Sequence, residues 1–165
     1  MANFVINTTS YHVCMTGISF LSYANRYREA ALVLASTPKT NNRFDPAVYF
    51  LYCLSLELHL KSFIWLHDKI SRKNIKDTYR HDINKLWRHC KERGINKYAK
   101  PTPLRDHVIE LIGPYYKNRK LNYLDLDMVF RGYTALKAEP RIVPTLDRLT
   151  KKLGQTLHDP ILNES

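Results

Sequence analysis

The stretch Ser55–Leu66, SLELHLKSFIWL, decides the fold, because it places a glutamate and a lysine, Glu57 and Lys61, inside what otherwise reads as buried core. Between Ala47 and Leu66 only Ser55, Glu57, His59, Lys61 and Ser62 are polar. Asp45-Pro46 stands just before this run, a capping side chain followed by a ring that suits the first helical turn. The pattern therefore predicts a central helix over Pro46–Lys69. At roughly 100° of turn per residue, Ser55, His59 and Ser62 fall on one side and Glu57 with Lys61 on roughly the opposite side. Glu before Lys at i, i+4 is the favourable order for an intrahelical ion pair. Buried, such a pair gains little unless further hydrogen bonds satisfy it. Other polar groups must then converge on it, and His81-Asp82 and the segment from Asn118 to Tyr123 are the suppliers at hand.

Outward from this helix, the chain reads as all-α. It has 5 glycines, no alternating strand pattern and several long apolar-periodic runs. A first helix is predicted over Thr16–Ala35, where Phe20, Ala24, Tyr27, Ala31 and Leu34 recur at alternating steps of four and three. His81-Asp82 opens a shorter helix with Ile83, Leu86, Trp87 and Cys90 on one face, and Gly94 stops it. Thr102-Pro103 opens another, carrying Leu104, Val108, Leu111 and Ile112 until Gly113-Pro114 kinks or ends it. Asn118–Lys137 shows no clean period and is expected to be a turn plus irregular or short extended structure. A last helix spans about Pro144–Leu157. The expectation is one domain over residues 1–165, a bundle of about four to five helices. Its core is expected at about 16–124, with an irregular segment and C-terminal helix over 125–165.

Charge is unevenly spread. The net charge is +11, and Lys69–Lys120 alone holds 15 Lys and Arg against 5 Asp and Glu, a net of +10. A local excess of this kind fits a polyanionic partner, although a solvated face is its ordinary explanation. Three cysteines, Cys14, Cys53 and Cys90, are odd in number and widely spaced, which suits reduced thiols in a cytosol. Neither a leader pattern nor an uninterrupted apolar run of about 18 residues is visible, so the chain is expected to be soluble and cytoplasmic, with no membrane partner. No ligand spacing for a metal and no phosphate-cradling glycine loop is present, and no cofactor is expected.

Taken in order, SLELHLKSFI, then HDINKLW, then KNRKLNYL resemble the small all-helical HEPN family. Its members often carry Glu-x-x-x-Lys on the second helix and a His-Asp-Leu-type start to the third. The resemblance covers about Thr16–Leu124. It implies a four- or five-helix bundle, commonly a dimer, associated with RNA or nucleotides in prokaryotic defence or toxin–antitoxin systems. Three departures bear on activity. Ribonuclease members carry an Arg followed about four to six residues later by a His, and this chain has no such pair. The glycine that often precedes His-Asp is Arg80 here, and the Arg-Tyr often seen after the fourth helix is Asn122-Tyr123. The standard nuclease site is therefore not encoded.

Glu57, Lys61, His81, Asp82 and Tyr123 are read as a polar cluster. It either fixes how helices dock or lines a pocket for a nucleotide or RNA phosphate. Cations with interleaved aromatics form the candidate nucleic-acid surface: Arg72, Lys73, Lys76, Arg80, Lys85, Arg88, Tyr98, Tyr115, Tyr116, Lys117, Arg119 and Lys120. Trp87 lies on an apolar face and reads as core. Ser55, His59 and Ser62 have no orienting acid and read as the polar face of a surface helix. The expected function is RNA or nucleotide binding, with a homodimer possible. One alternative is a divergent metal-independent ribonuclease using His81 or His107 with Arg80, Arg105 or Arg119. The other is an interaction or inhibitor module that docks on an acidic protein.

Overall fold

Asp45 accepts a hydrogen bond from the Ala47 N–H at 3.0 Å and Pro46 fills the first turn, so the central helix α2 starts where its capping residues place it and runs Pro46–Asp68. Lys69 closes it in the left-handed conformation, with its N–H on the Trp65 carbonyl. The computed structural model describes residues 17–38, 44–70, 72–122 and 132–164. Among these residues the protein is all-helical, with no strand. Besides α2 it has α1 Gly17–Ser36, α3 Arg72–Tyr79, α4 Ile83–Glu92, α5 Pro103–Lys117, α6 Thr134–Lys137 and α7 Ile142–Leu162, with a short 3-10 turn at Ile95–Lys97. Seven helices exceed the four to five expected. The two extra ones, α3 and α6, are eight and four residues long and too short to show an apolar stripe.

α2 packs against α1 and α7 on one side and against α3, α4 and α5 on the other. Tyr52, Cys53, Leu56, Leu60, Phe63 and Ile64 of α2 are buried in a core shared with Leu21 and Ala24 of α1, Leu86 and Cys90 of α4, Ile109 and Ile112 of α5, and Leu146, Leu149 and Leu153 of α7. Trp87 joins this core, and its indole N–H donates to Asp106 at 2.6 Å.

Ser55, His59 and Ser62 correct the surface-helix reading, because all three are fully buried under α1. The hydroxyls of Ser55 and Ser62 donate to the carbonyls of Ala24 and Gly17, each at 2.8 Å. These carbonyls use a second lone pair for the purpose, so α1 keeps its own ladder. His59 Nδ1 lies 2.9 Å from the Ser55 carbonyl and Nε2 lies 3.1 Å from the Asn25 amide. Such short links demand a thin backbone nearby. A Cβ on Gly17 would meet the Trp65 ring at 2.3 Å, and one on Gly154 of α7 would meet Asn25 at 2.5 Å and His59 at 3.2 Å.

Three further expectations change. α5 does not end at Gly113-Pro114 but continues to Lys117, so Tyr115 and Tyr116 belong to the helix. The described parts of Asn118–Lys137 are a turn and α6 rather than extended structure; residues 123–131 lie outside the described residues. α7 starts at Ile142, two residues before Pro144, because proline is tolerated anywhere in a first turn whose N–H groups have no partner. By length and composition α2 is also apolar enough to cross a membrane, at mean hydropathy 1.3, yet 67% of that window is buried against the other helices, as in the core helix of a soluble protein.

Burial, the largest influence, outweighs the upward pull of the Ser55 carbonyl and, with the smaller push of the Arg28 charge, lowers His59 to about 4. Below its ordinary value near 6.5 the unfolded chain takes up a proton that the folded ring refuses. Stability therefore falls as pH drops from about 6.5 to about 4, by up to about 3 kcal/mol in all. Urea unfolding across that window should show this slope, and His59→Gln should flatten it. Gly154→Ala should lose about 1–3 kcal/mol in the same assay by forcing Asn25 off His59.

Candidate functional site

On the opposite face of α2 the buried charge sits among donors. Glu57 is 2% exposed and Lys61 7%. Lys61 Nζ pairs with Glu57 Oε1 one turn along the helix. Oε2 takes the other donors: the Tyr116 hydroxyl from α5 at 2.5 Å and His81 Nδ1, from the turn before α4, at 3.1 Å. A carboxylate can only accept, so the His81 proton that faces it sits on Nδ1. Burial pushes the Glu57 carboxyl up, but the hydrogen bond from His81, the charge and hydrogen bond of Lys61 and the hydrogen bond from Tyr116 outweigh it. The group is held below its ordinary value. Burial and the adjacent Glu57 charge push the Tyr116 phenol far up, which keeps it a donor.

Asp82 stands apart from this centre. It caps α4 by accepting from the Lys85 N–H at 3.0 Å and pairs outward with Lys117 Nζ at 2.7 Å. It thus ties the start of α4 to the end of α5, the helix that brings Tyr116 to Glu57. Tyr123 lies outside the described residues.

Above Glu57 opens a cleft of about 440 Å³ lined by Lys61, Lys76, Arg80, His81 and Arg119, with Phe20, Leu58 and Ile75 as an apolar wall and Asp77 as its carboxylate. A second cleft of about 510 Å³ adjoins it across Asp77, Arg80, His81 and Arg119 and adds Lys85 and Lys117 with Tyr79 and Asp82. Arg80 and Arg119 both hold left-handed backbone, at φ 44° and 58°. A non-glycine residue there carries a steric penalty of about 1–2 kcal/mol.

The remaining candidates scatter. Lys73 and Arg88 are exposed but line neither cleft, and the Arg72 side chain lies outside the described set. Lys120 is half-buried, and its carbonyl accepts from Tyr133 at 2.6 Å. Tyr98 packs on Phe63 with its hydroxyl 3.1 Å from His67 Nε2, and Tyr115 lies against Tyr133. Tyr116, at 3% exposure, is no stacking platform but part of the Glu57 network, which corrects its place among the surface aromatics. His107 lies outside both clefts, beside Glu139 at 3.7 Å. Arg105 likewise lines neither cleft, its guanidinium donating to the Lys100 carbonyl, so of the five candidate catalytic residues the fold gathers Arg80, His81 and Arg119. The apolar wall was missed, because Ile75 is the single aliphatic residue of a short, otherwise polar segment.

Among the described residues no group of His, Cys, Asp and Glu is arranged to hold a metal ion. Cys53 and Cys90 are free thiols, both buried, and burial pushes each well above its ordinary value. Comparison with protein-family models, with curated proteins and with solved structures matches none of them to this chain.

Glu57→Gln should be costly, about 3 kcal/mol or more by chemical denaturation, since it strands the Lys61 charge in the core. Tyr116→Phe should cost about 1–2 kcal/mol, leaving Glu57 two of its three partners. Because the folded Glu57 value is depressed, its contribution is present above the ordinary carboxylate range and is lost as pH falls through the folded value; Glu57→Gln should remove that part of the acid limb.

Proposed function

We propose that the protein binds RNA or a nucleotide at the cleft over Glu57. The observation that carries the reading is the convergence of Lys61, Lys76, Arg80, His81 and Arg119 on one cleft that also has an apolar wall. Phosphate calls for cations, and a base calls for apolar contact. Within the proposal the bundle is HEPN-like, cytoplasmic and dimeric, and it serves a defence or toxin–antitoxin system. These parts are supported by the resemblance of SLELHLKSFI and HDINKLW.

A second reading draws support from the His81–Glu57 contact. With Nδ1 held by a buried carboxylate, the ring presents Nε2 as a proton acceptor, and Arg80 and Arg119 line the same cleft with charge of the sign that a developing phosphorane calls for. That geometry suits metal-independent ribonuclease chemistry at a site other than the family's usual one.

Binding and cleavage of mixed single-stranded RNA at about 50 and 200 mM salt test both readings. Affinity should fall roughly tenfold or more across that range for a site that neutralises several phosphates. Arg80→Gly and Arg119→Gly are the informative variants, since glycine accepts the left-handed backbone while removing the cation. Both should weaken binding, and Arg80→Gly should do so without lowering the unfolding midpoint. Salt-independent association, or variants that bind RNA unchanged, would contradict the proposal, and cleavage abolished by His81→Ala would establish the second reading.

A further inference from the structure

Two clefts meet at Asp77, Arg80, His81 and Arg119, and their walls differ in kind. The first sets Phe20, Leu58 and Ile75 against Lys61, Lys76, Arg80 and Arg119. The second contains no aliphatic side chain: beyond the shared residues it is lined by Thr78, Tyr79, Asp82, Lys85, Lys117 and Asn118. A phosphate alone gains nothing from an aliphatic wall, and a base gains more from three apolar side chains than from a wall whose single aromatic ring is buried. At about 440 Å³ the first cleft is within the size range of small-ligand pockets, so it suits a nucleoside-sized group. A single nucleotide placed there leaves the cations of the second cleft unused.

The charges of the two clefts are also disposed differently. The first carries Lys61, paired with Glu57, together with Lys76, Arg80 and Arg119 against one carboxylate, Asp77. The second carries Lys85, Lys117, Arg80 and Arg119 against two, Asp77 and Asp82; Lys117 pairs with Asp82, while Lys85 Nζ donates to the Thr78 carbonyl at 2.9 Å and rests near the Tyr79 ring. Both lysines are tethered: Lys117 Nζ to Asp82, and Lys85 by its backbone N–H to Asp82 and by its Nζ to the Thr78 carbonyl. Fixed cations lose less conformational entropy on binding than mobile ones.

We infer, resting on the function proposed above, that the clefts are successive subsites for a single-stranded oligonucleotide. The first seats one base against Leu58 and Ile75. The second holds the adjoining sugar–phosphate between Lys85 and Lys117, and Arg80 and Arg119 grip the phosphate at the junction. The ligand class is therefore a dinucleotide or longer single strand rather than a mononucleotide.

The test titrates the full chain at one salt concentration with adenosine monophosphate, 5′-phosphorylated diadenylate, hexaadenylate and an abasic hexamer carrying the same phosphates. Diadenylate should bind about tenfold or more tightly than the monophosphate, and hexaadenylate more tightly than the abasic hexamer by a similar factor. The variant Lys85→Ala should cut the gain of the dinucleotide over the monophosphate several-fold while leaving monophosphate binding unchanged. Leu58→Trp, which fills the first cleft, should weaken the monophosphate and spare the abasic hexamer. Equal affinity for monophosphate and diadenylate, or for the abasic and intact hexamers, would overturn the two-subsite inference while leaving nucleic-acid binding in place. Failure of all four ligands to bind would overturn the underlying reading and this inference with it. The abasic comparison needs no variant, so it decides the base seat even if a substitution impairs folding.

Discussion

A carboxylate inside an apolar helix must be surrounded by donors, because an ionised group removed from water without partners costs several kcal/mol or more. Glu57 is such a group, and its partners come from three places in the chain: Lys61 from its own helix, His81 from the turn before α4 and Tyr116 from α5. Satisfying it therefore fixes how α4 and α5 dock on α2. The same requirement builds the cleft. Holding His81 by Nδ1 puts the start of α4 beside α2, and with it Arg80, whose left-handed backbone turns the chain from α3 into α4. Placing Tyr116 near the end of α5 brings the turn carrying Arg119 to the same spot.

The other face of α2 solves a different problem with smaller groups. Ser55 and Ser62 bond to carbonyls of α1, His59 bridges to Asn25, and Gly154 of α7 leaves room for that bridge. Arg28 and Asp147, paired at 2.7 Å, join α1 to α7 nearby, and the Tyr52 hydroxyl approaches the same carboxylate at 3.4 Å. Burial and the Asp147 charge push that phenol up to about 12, so it remains a donor across the ordinary pH range. α1, α2 and α7 thus form a closely fitted half of the bundle, while α3, α4 and α5 with their cations form the half that presents the cleft.

Much of this was legible in the sequence where the signal is local. Asp45-Pro46, Asp82, Gly94 and Thr102-Pro103 mark helix ends by side-chain chemistry within a few residues, and those ends stand close to where the signals put them. The Glu57–Lys61 pair is likewise a matter of one helical turn. What failed depended on tertiary neighbours. Pro114 forfeits one hydrogen bond but sits a single turn from the end of α5, so packing carries the helix past it and takes Tyr116 into the core. Ser55, His59 and Ser62 look like a solvated stripe until α1 is known to lie on them. α3 gives no signal because eight residues with two buried side chains, Ile75 and Tyr79, make no period. The left-handed backbone at Arg80 and Arg119 runs against residue preference, and the second cleft needs two helix ends brought together in space.

The central claim is that buried Glu57 orients His81 so that the ring's other nitrogen faces an anion-binding cleft. Imidazole nitrogen NMR of the labelled protein at alkaline pH, before and after addition of diadenylate, tests it most directly. The account predicts a His81 ring protonated at Nδ1, with an unprotonated Nε2 whose resonance shifts as ligand is added and a tautomer that scrambles in Glu57→Gln. A His81 ring protonated at Nε2, or one unmoved by ligand that demonstrably binds, would contradict it.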